Sequence, residues 1–272
     1  MKDNLYKKQF LTEHNFKKSS AKLKILIIAS TGRSGSHMLG HTLHSTGKFG
    51  FPLEYFQKNN LNKWKEIINK NNIKDIICSL QDIRTSENGV FSIKIHYSQV
   101  KEIGGFTNLQ ELLPNAYFVF IKRRNILKQA VSMSIARQTG IWISEQLGNG
   151  RKPKYDYCSI NMELKELLKD NSNWIYHLES SNSNYISLDF EDVRDNLDDS
   201  VIKISNFMNI ELKDEEIPII PLTKKQTNSV NDDFLSKYLS DYNNKHSYKC
   251  FFIEYVVAVK KNIRNFINVW VG

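Results

Sequence analysis

Leu23-Lys24-Ile25-Leu26-Ile27-Ile28-Ala29-Ser30-Thr31-Gly32-Arg33-Ser34-Gly35-Ser36 is the stretch that decides the fold. Leu23 to Ala29 is a β-branched apolar run, the pattern of a strand buried on both faces. A Gly/Ser turn follows, and then a helical pattern through Ser45. Strand, tight turn and helix start in that order form a natural anion site, because the loop N–H groups and the positive end of the helix converge on one point. Gly32 and Gly35 let the backbone approach a ligand closely, Arg33 can fork two oxygens of a phosphate or sulfate, and Ser34 and Ser36 add hydroxyl donors. A structural turn with a serine cap is the plainer alternative. The loop, however, follows the most apolar strand in the chain, where ligands of open α/β sheets gather. A nucleotide-hydrolysing loop would end in Gly-Lys-Ser/Thr. Here Gly35 is followed by Ser36-His37, and the loop holds no lysine.

Working outward, Val90–His96, Ala116–Lys122 and Asn184–Phe190 read as further strands. Residues 60–72, Asn125–Leu147, Met162–Glu179 and Asp192–Met208 read as helices. Strands alternating with helices predict an α/β fold of the P-loop type, three layers with a central parallel sheet flanked by helices. No repeat and no Pro/Gly-rich linker interrupts residues 23–245, which we read as one domain. Residues 1–22 are lysine-rich and polar, and we expect a flexible basic tail there. In residues 246–272 an apolar stripe of Phe252, Val256, Val259, Ile263, Phe266 and Trp270 predicts an amphipathic helix. Its expected partner is the domain or a second subunit in a homodimer, with a membrane surface as the sharper alternative.

The 272 residues are 40% apolar and 25% charged, an ordinary globular balance that excludes fibrous and wholly disordered classes. With no apolar run long enough to span a bilayer and no signal-like start, a cytoplasmic protein is the expectation. The three cysteines are widely spaced, which argues against a disulfide scaffold or a cysteine-rich zinc site. A net charge of +9 invites an acidic partner without choosing among nucleic acid, anionic lipid and a phosphorylated small molecule.

The loop Ser30 to Ser36 resembles the 5′-phosphosulfate loop of sulfotransferases that use 3′-phosphoadenosine 5′-phosphosulfate (PAPS), most of all the bacterial trehalose-2-sulfotransferase type. Further segments agree in the same order: Gly47-Lys48-Phe49-Gly50-Phe51-Pro52-Leu53-Glu54-Tyr55-Phe56, Phe91-Ser92-Ile93-Lys94, Lys122-Arg123-Arg124-Asn125 with Gln129-Ala130-Val131-Ser132 and Gln138-Thr139-Gly140-Ile141-Trp142, and Lys225-Gln226 followed by Phe234 and Tyr238. The resemblance covers residues 23–243 and implies PAPS as cofactor, no metal, and sulfuryl transfer to a hydroxyl of a carbohydrate or glycolipid. It places Arg33, Ser34, Gly35, Ser36 and His37 around the 5′-phosphosulfate, Arg123 and Ser132 at the 3′-phosphate, and Lys225 and Gln226 over the nucleotide. His37 stands where the family usually has Thr, and its ring N–H can still donate to an oxygen.

Sulfuryl transfer needs a base for the acceptor hydroxyl and donors for the charge on the sulfuryl and leaving oxygens. Glu54 is the first candidate base, because the Gly50 and Pro52 turn can swing it over the loop and the resembling enzymes carry their base there. Its aromatic neighbours lead us to expect a pKa raised by burial. His96 is the rival, since Lys94-Ile95-His96 also resembles the Lys-x-His segment of cytosolic sulfotransferases. Lys94 shares a strand face with His96 and can neutralise the sulfate or leaving oxygen. Phe51 replaces an acidic residue of the trehalose type, and we expect its ring to stack on a sugar or admit a lipid-like acceptor. His37, His41 and His44 have a spacing that can bind zinc, but no carboxylate or cysteine lies nearby in sequence to join them. A P-loop kinase-like phosphotransferase is the alternative function, and a basic nucleic-acid-binding protein a more distant one.

Overall fold

The computed structural model describes residues 7–142, 148–218 and 229–243. Among them, β1 (Lys24–Ser30), β2 (Val90–His96), β3 (Tyr117–Lys122) and β4 (Tyr185–Asp189) pair in the order β2-β1-β3-β4, every pair parallel. β1 has a neighbour on each side, which accounts for its unbroken apolar run. Its side chains alternate between two cores. Ile25, Ile27 and Ala29 pack with Phe91, Ile93, Trp174 and Leu178 on one face, and Leu26 and Ile28 with Leu39, Leu43, Val201 and Ile204 on the other. This is the expected three-layer α/β architecture.

The helices are α1 (Ser36–Ser45), α2 (Lys58–Ile68), α3 (Ile73–Arg84), α4 (Tyr97–Glu102), α5 (Phe106–Leu112), α6 (Ile126–Thr139), α7 (Tyr157–Ser180), α8 (Phe190–Asp195), α9 (Leu197–Met208) and α10 (Ser229–Asn243). Two sequence expectations need correction. The helix from Asn125 does not run to Leu147: Gly140, at φ 71°, ends it in the left-handed region after Thr139. The helix expected over Asp192–Met208 is two helices broken at Asn196, whose non-helical backbone also starts α9. A third core joins α6, α7 and α10 through Ala130, Val131, Ile160, Phe234 and Tyr238.

Part of the stretch read as a tail is packed. Short 3₁₀ turns at Lys7–Phe10 and Thr12–His14 lie against α3, with Gln9 buried and Phe10 against Trp64. Arg84, 1% exposed, donates from one guanidinium nitrogen to the carbonyls of Gln9 and Leu11 and sits over the rings of Phe51 and Trp64. Cys78 is a free exposed thiol, whereas Cys158, near the start of α7, is disulfide-bonded, a cross-link the cysteine spacing did not suggest. Among the described residues no helix is long and apolar enough to cross a membrane. The C-terminal stripe from Phe252 to Trp270 lies outside the described residues.

Candidate active site

The loop between β1 and α1 is built so that its carbonyls are turned away from the site. Trp174 Nε1 on α7 donates to the Ser30 carbonyl at 2.8 Å, Gln129 Nε2 on α6 to the Gly32 carbonyl at 2.6 Å, and Arg123 Nη1 to the Arg33 carbonyl at 3.4 Å. Arg33 and Gly35 adopt positive φ, 63° and 83°. Left-handed residues alternating with ordinary ones turn successive N–H groups to one side, the geometry of an anion nest. Gly35 also has no room for a side chain, since a Cβ would lie 2.1 Å from the Phe190 ring.

Arg33, Ser132 and Arg123 come together at this loop. Arg33 Nε donates to Ser132 Oγ at 3.0 Å, and another of its nitrogens to the Trp142 carbonyl. The Arg123 guanidinium lies 4.9 Å from the Phe190 ring centre and 4.0 Å from Glu191, and its Nε makes no hydrogen bond. Burial, and then Arg123 itself, lower the Arg33 pKa to about 10. Burial likewise lowers the Arg123 pKa, against the opposing pull of Glu191. Two guanidiniums crowded at one nest form a site that an anion relieves. Ser34 Oγ is buried with no hydrogen-bond partner. A buried hydroxyl left unmatched beside a nest fits a phosphate or sulfate oxygen. The residues present therefore fit a phosphosulfate group. Ser36 opens α1 and is buried. Lys225 and Gln226 lie outside the described residues.

Glu54, Lys94 and His96 meet next to this loop. Leu53 pairs with Ile93 as a single parallel bridge, and the Leu53 carbonyl accepts the Lys94 N–H at 2.9 Å, which brings Glu54 alongside β2. Gly50 makes the approach feasible: at φ 64°, its missing Cβ would lie 2.7 Å from the Arg84 carbonyl and 2.8 Å from that of Val90. Glu54 Oε1 is 2.6 Å from Lys94 Nζ and 3.4 Å from His96 Nε2. Its Oε2 accepts from Gln99 Nε2 at 2.9 Å. Lys94 is 4% exposed and Glu54 23%.

The expectation of a raised Glu54 pKa is corrected here. Burial does push it up, but the Lys94 ammonium and the His96 ring outweigh burial and hold the carboxyl well below its usual range. His37 is neutral: burial, with Lys94 and His41 adding to it, lowers its pKa to about 2. The three histidines of α1 do not converge on one point. His37 and His41 meet ring edge to face, while His44 bonds the Gly50 carbonyl and stacks on Phe51. Among the described residues no group of three His, Cys, Asp or Glu is placed to hold a metal. Phe51 is 1% exposed, so its ring packs inside against His44 and does not offer a face to a sugar or lipid. Gln99 went unread in the sequence, because only the folded chain brings it to Glu54.

The Stf0 sulphotransferase family model matches residues 25–241. No curated protein matches the chain. Among solved structures, the sulfotransferase domain from the curacin biosynthetic pathway is 14% identical, covering 78% of this chain and 83% of its own, with a TM-score of 0.47. Sulfotransferase STF9 from Mycobacterium avium is 10% identical over 84% of this chain and 78% of its own, TM-score 0.49. Mouse sulfotransferase SULT7A1, complexed with PAP, is 16% identical over 74% of this chain and 63% of its own, TM-score 0.44. These likenesses are remote, and the assignment rests on the family match: the chain belongs to the Stf0 sulphotransferase family and is a sulfotransferase.

Proposed function

We propose that this enzyme moves the sulfuryl group of PAPS in line to a hydroxyl of a carbohydrate or glycolipid, without a metal, with Glu54 as the general base. The observation that carries the reading is the cluster of Glu54, Lys94 and His96 beside the anion-binding loop. When bound, PAPS supplies the sulfuryl group and the bisphosphate that leaves with the pair of bonding electrons. The nest, Arg33, Ser34 and Ser36 are the groups that would hold the 5′ end, and Arg123 and Ser132 the 3′-phosphate. His37, neutral at physiological pH, can face an anionic oxygen only as a hydrogen-bond donor from a ring N–H.

Hydrogen-bond logic favours Glu54 over His96. An ionised carboxylate only accepts, so the ring nitrogen facing it, Nε2, carries the proton. In the neutral ring Nδ1 is then the acceptor, and Ser30 Oγ, 2.9 Å from it and 3.3 Å from the Ile95 carbonyl, has one proton for the two. In this tautomer His96 serves Glu54 as a donor, and its lone pair faces Ser30 rather than the carboxylate. The low pKa of Glu54 keeps it ionised and ready to accept a proton, though weakly basic while Lys94 is paired with it. An ammonium that turns from the carboxylate towards an incoming anion leaves Glu54 a stronger base and screens the developing charge.

The test uses calorimetry with adenosine 3′,5′-bisphosphate (PAP), then mass spectrometry of a carbohydrate and glycolipid extract incubated with enzyme and labelled PAPS. PAP should bind in the absence of magnesium. Glu54→Gln should leave PAP affinity nearly unchanged and cut sulfate transfer by about 10²–10⁴, and His96→Gln should cost less. An active Glu54→Gln enzyme beside an inactive His96→Gln enzyme would reverse the roles.

A further inference from the structure

Gln99, on the first turn of α4, is 5% exposed and lies between the two candidate bases. Its Oε1 accepts the backbone N–H of His96 at 3.1 Å, and its Nε2 donates to Glu54 Oε2 at 2.9 Å. The orientation of this amide follows from its neighbours. A backbone N–H can only donate and a carboxylate can only accept, so the flipped amide would set donor against donor and acceptor against acceptor. The fixed start of α4 thereby aims one N–H at one oxygen of Glu54. The other oxygen is left to Lys94 and His96, which approach from β2 and its end. His37, from α1, also feels the charge of the carboxylate.

We propose that Gln99 is a positioning residue for the base: it holds the Glu54 carboxylate by Oε2, so that Oε1 is the oxygen presented to Lys94 and to the acceptor's proton. The proposal rests on the reading of Glu54 as base, and it gives each carboxylate oxygen its own task. Each carboxylate oxygen has two lone pairs, and on Oε1 one of them faces the Lys94 ammonium at 2.6 Å. An ammonium that turns towards an incoming anion frees that lone pair, and Oε1 is then open to the acceptor's proton. The one side chain also ties the rotamer of Glu54 to the backbone at His96, so base and β2 end keep a common frame.

Two variants separate this role from that of a helix cap. Gln99→Met removes both hydrogen bonds. Gln99→Glu keeps the oxygen that accepts from His96 but removes the donor to Glu54. The readout is the titration of the Glu54 carboxyl by carbon-13 NMR in the full chain labelled at glutamate, with the signal assigned by its loss in Glu54→Gln. Wild-type Glu54 should remain ionised to the acid limit of the fold. Both variants should titrate higher, by about one unit for loss of a charge-assisted hydrogen bond and by more in Gln99→Glu, where two carboxylates face each other. If Gln99→Glu titrates as wild type, or only Gln99→Met shifts, Gln99 is a cap and the proposal is overturned. Should Gln99→Met fail to fold, Gln99→Glu decides alone. PAP affinity, measured separately, tests the enzymatic reading: failure of all proteins to bind PAP would sink that reading, while the Glu54 titration still decides the role of Gln99.

Discussion

Lys94→Met should change not only the stability of the protein but the way that stability depends on pH. The Lys94 ammonium is almost wholly buried and lies 2.6 Å from a carboxylate that is itself 23% exposed. Removing one partner of a buried pair costs about 3–5 kcal/mol. Glu54 keeps some contact with water and keeps Gln99 and His96, so the lower end, about 3 kcal/mol at pH 7, is expected. In the wild type the folded pKa of Glu54 lies below its unfolded value. Its contribution is therefore complete above about pH 5 and is lost as pH falls below about 4.3, at up to about 1.4 kcal/mol per unit. In the variant, burial is opposed only by His96 and Gln99, so the folded pKa rises and less stability is lost on acidification. The stability gap should then narrow between pH 7 and pH 4, and further below pH 4. Urea denaturation at several pH values is the assay, since guanidinium would screen the charges. A gap that stays constant or widens on acidification would refute an electrostatic origin for the pair.

Arg33→Ala and Arg123→Ala should each weaken PAP binding by about 1.5–3 kcal/mol, the size of a hydrogen bond to a charged group; calorimetry showing unchanged affinity in both would remove them from the cofactor site. Gly50→Ala should destabilise the fold by about 1–3 kcal/mol, because a Cβ there meets two carbonyl oxygens at positive φ. Urea midpoints equal to wild type would show that the turn yields at no cost.

The strand, loop and first helix were legible because their signals are local: an apolar run, two glycines and a serine-rich turn read the same alone as in the fold. α3 was missed although it carries Ile76, Ile77 and Leu80 on one face, because its apolar spacing competes with lysine and asparagine on either side. The end of α6 was overrun because Gly140 was read within the resemblance rather than as a left-handed stop. Glu54, Lys94 and His96 were each read as candidates and lie together in the structure, but the direction of the Glu54 pKa was not foreseen. Its aromatic neighbours are local and suggest burial alone. The ammonium that outweighs burial arrives through the single bridge between Leu53 and Ile93, which no spacing announces. Gln99 is 45 residues from Glu54, and the carbonyls that hold Arg84 come from a stretch read as tail, so both stayed hidden for the same reason.

The segment that carries Glu54 has a second consequence. Among the described residues β2 is the last strand on its side of the sheet, and an outermost strand is a template on which a foreign chain can pair. Phe49 to Glu54 runs along that rim: Ser92 Oγ bonds the Phe49 carbonyl, and the Leu53 carbonyl takes the Lys94 N–H. The rim is thus occupied by the same short stretch that carries Glu54. Substitutions that loosen it should produce self-association together with inactivity, so a dead variant in this stretch that also sediments as a multimer has lost its guard as well as its chemistry.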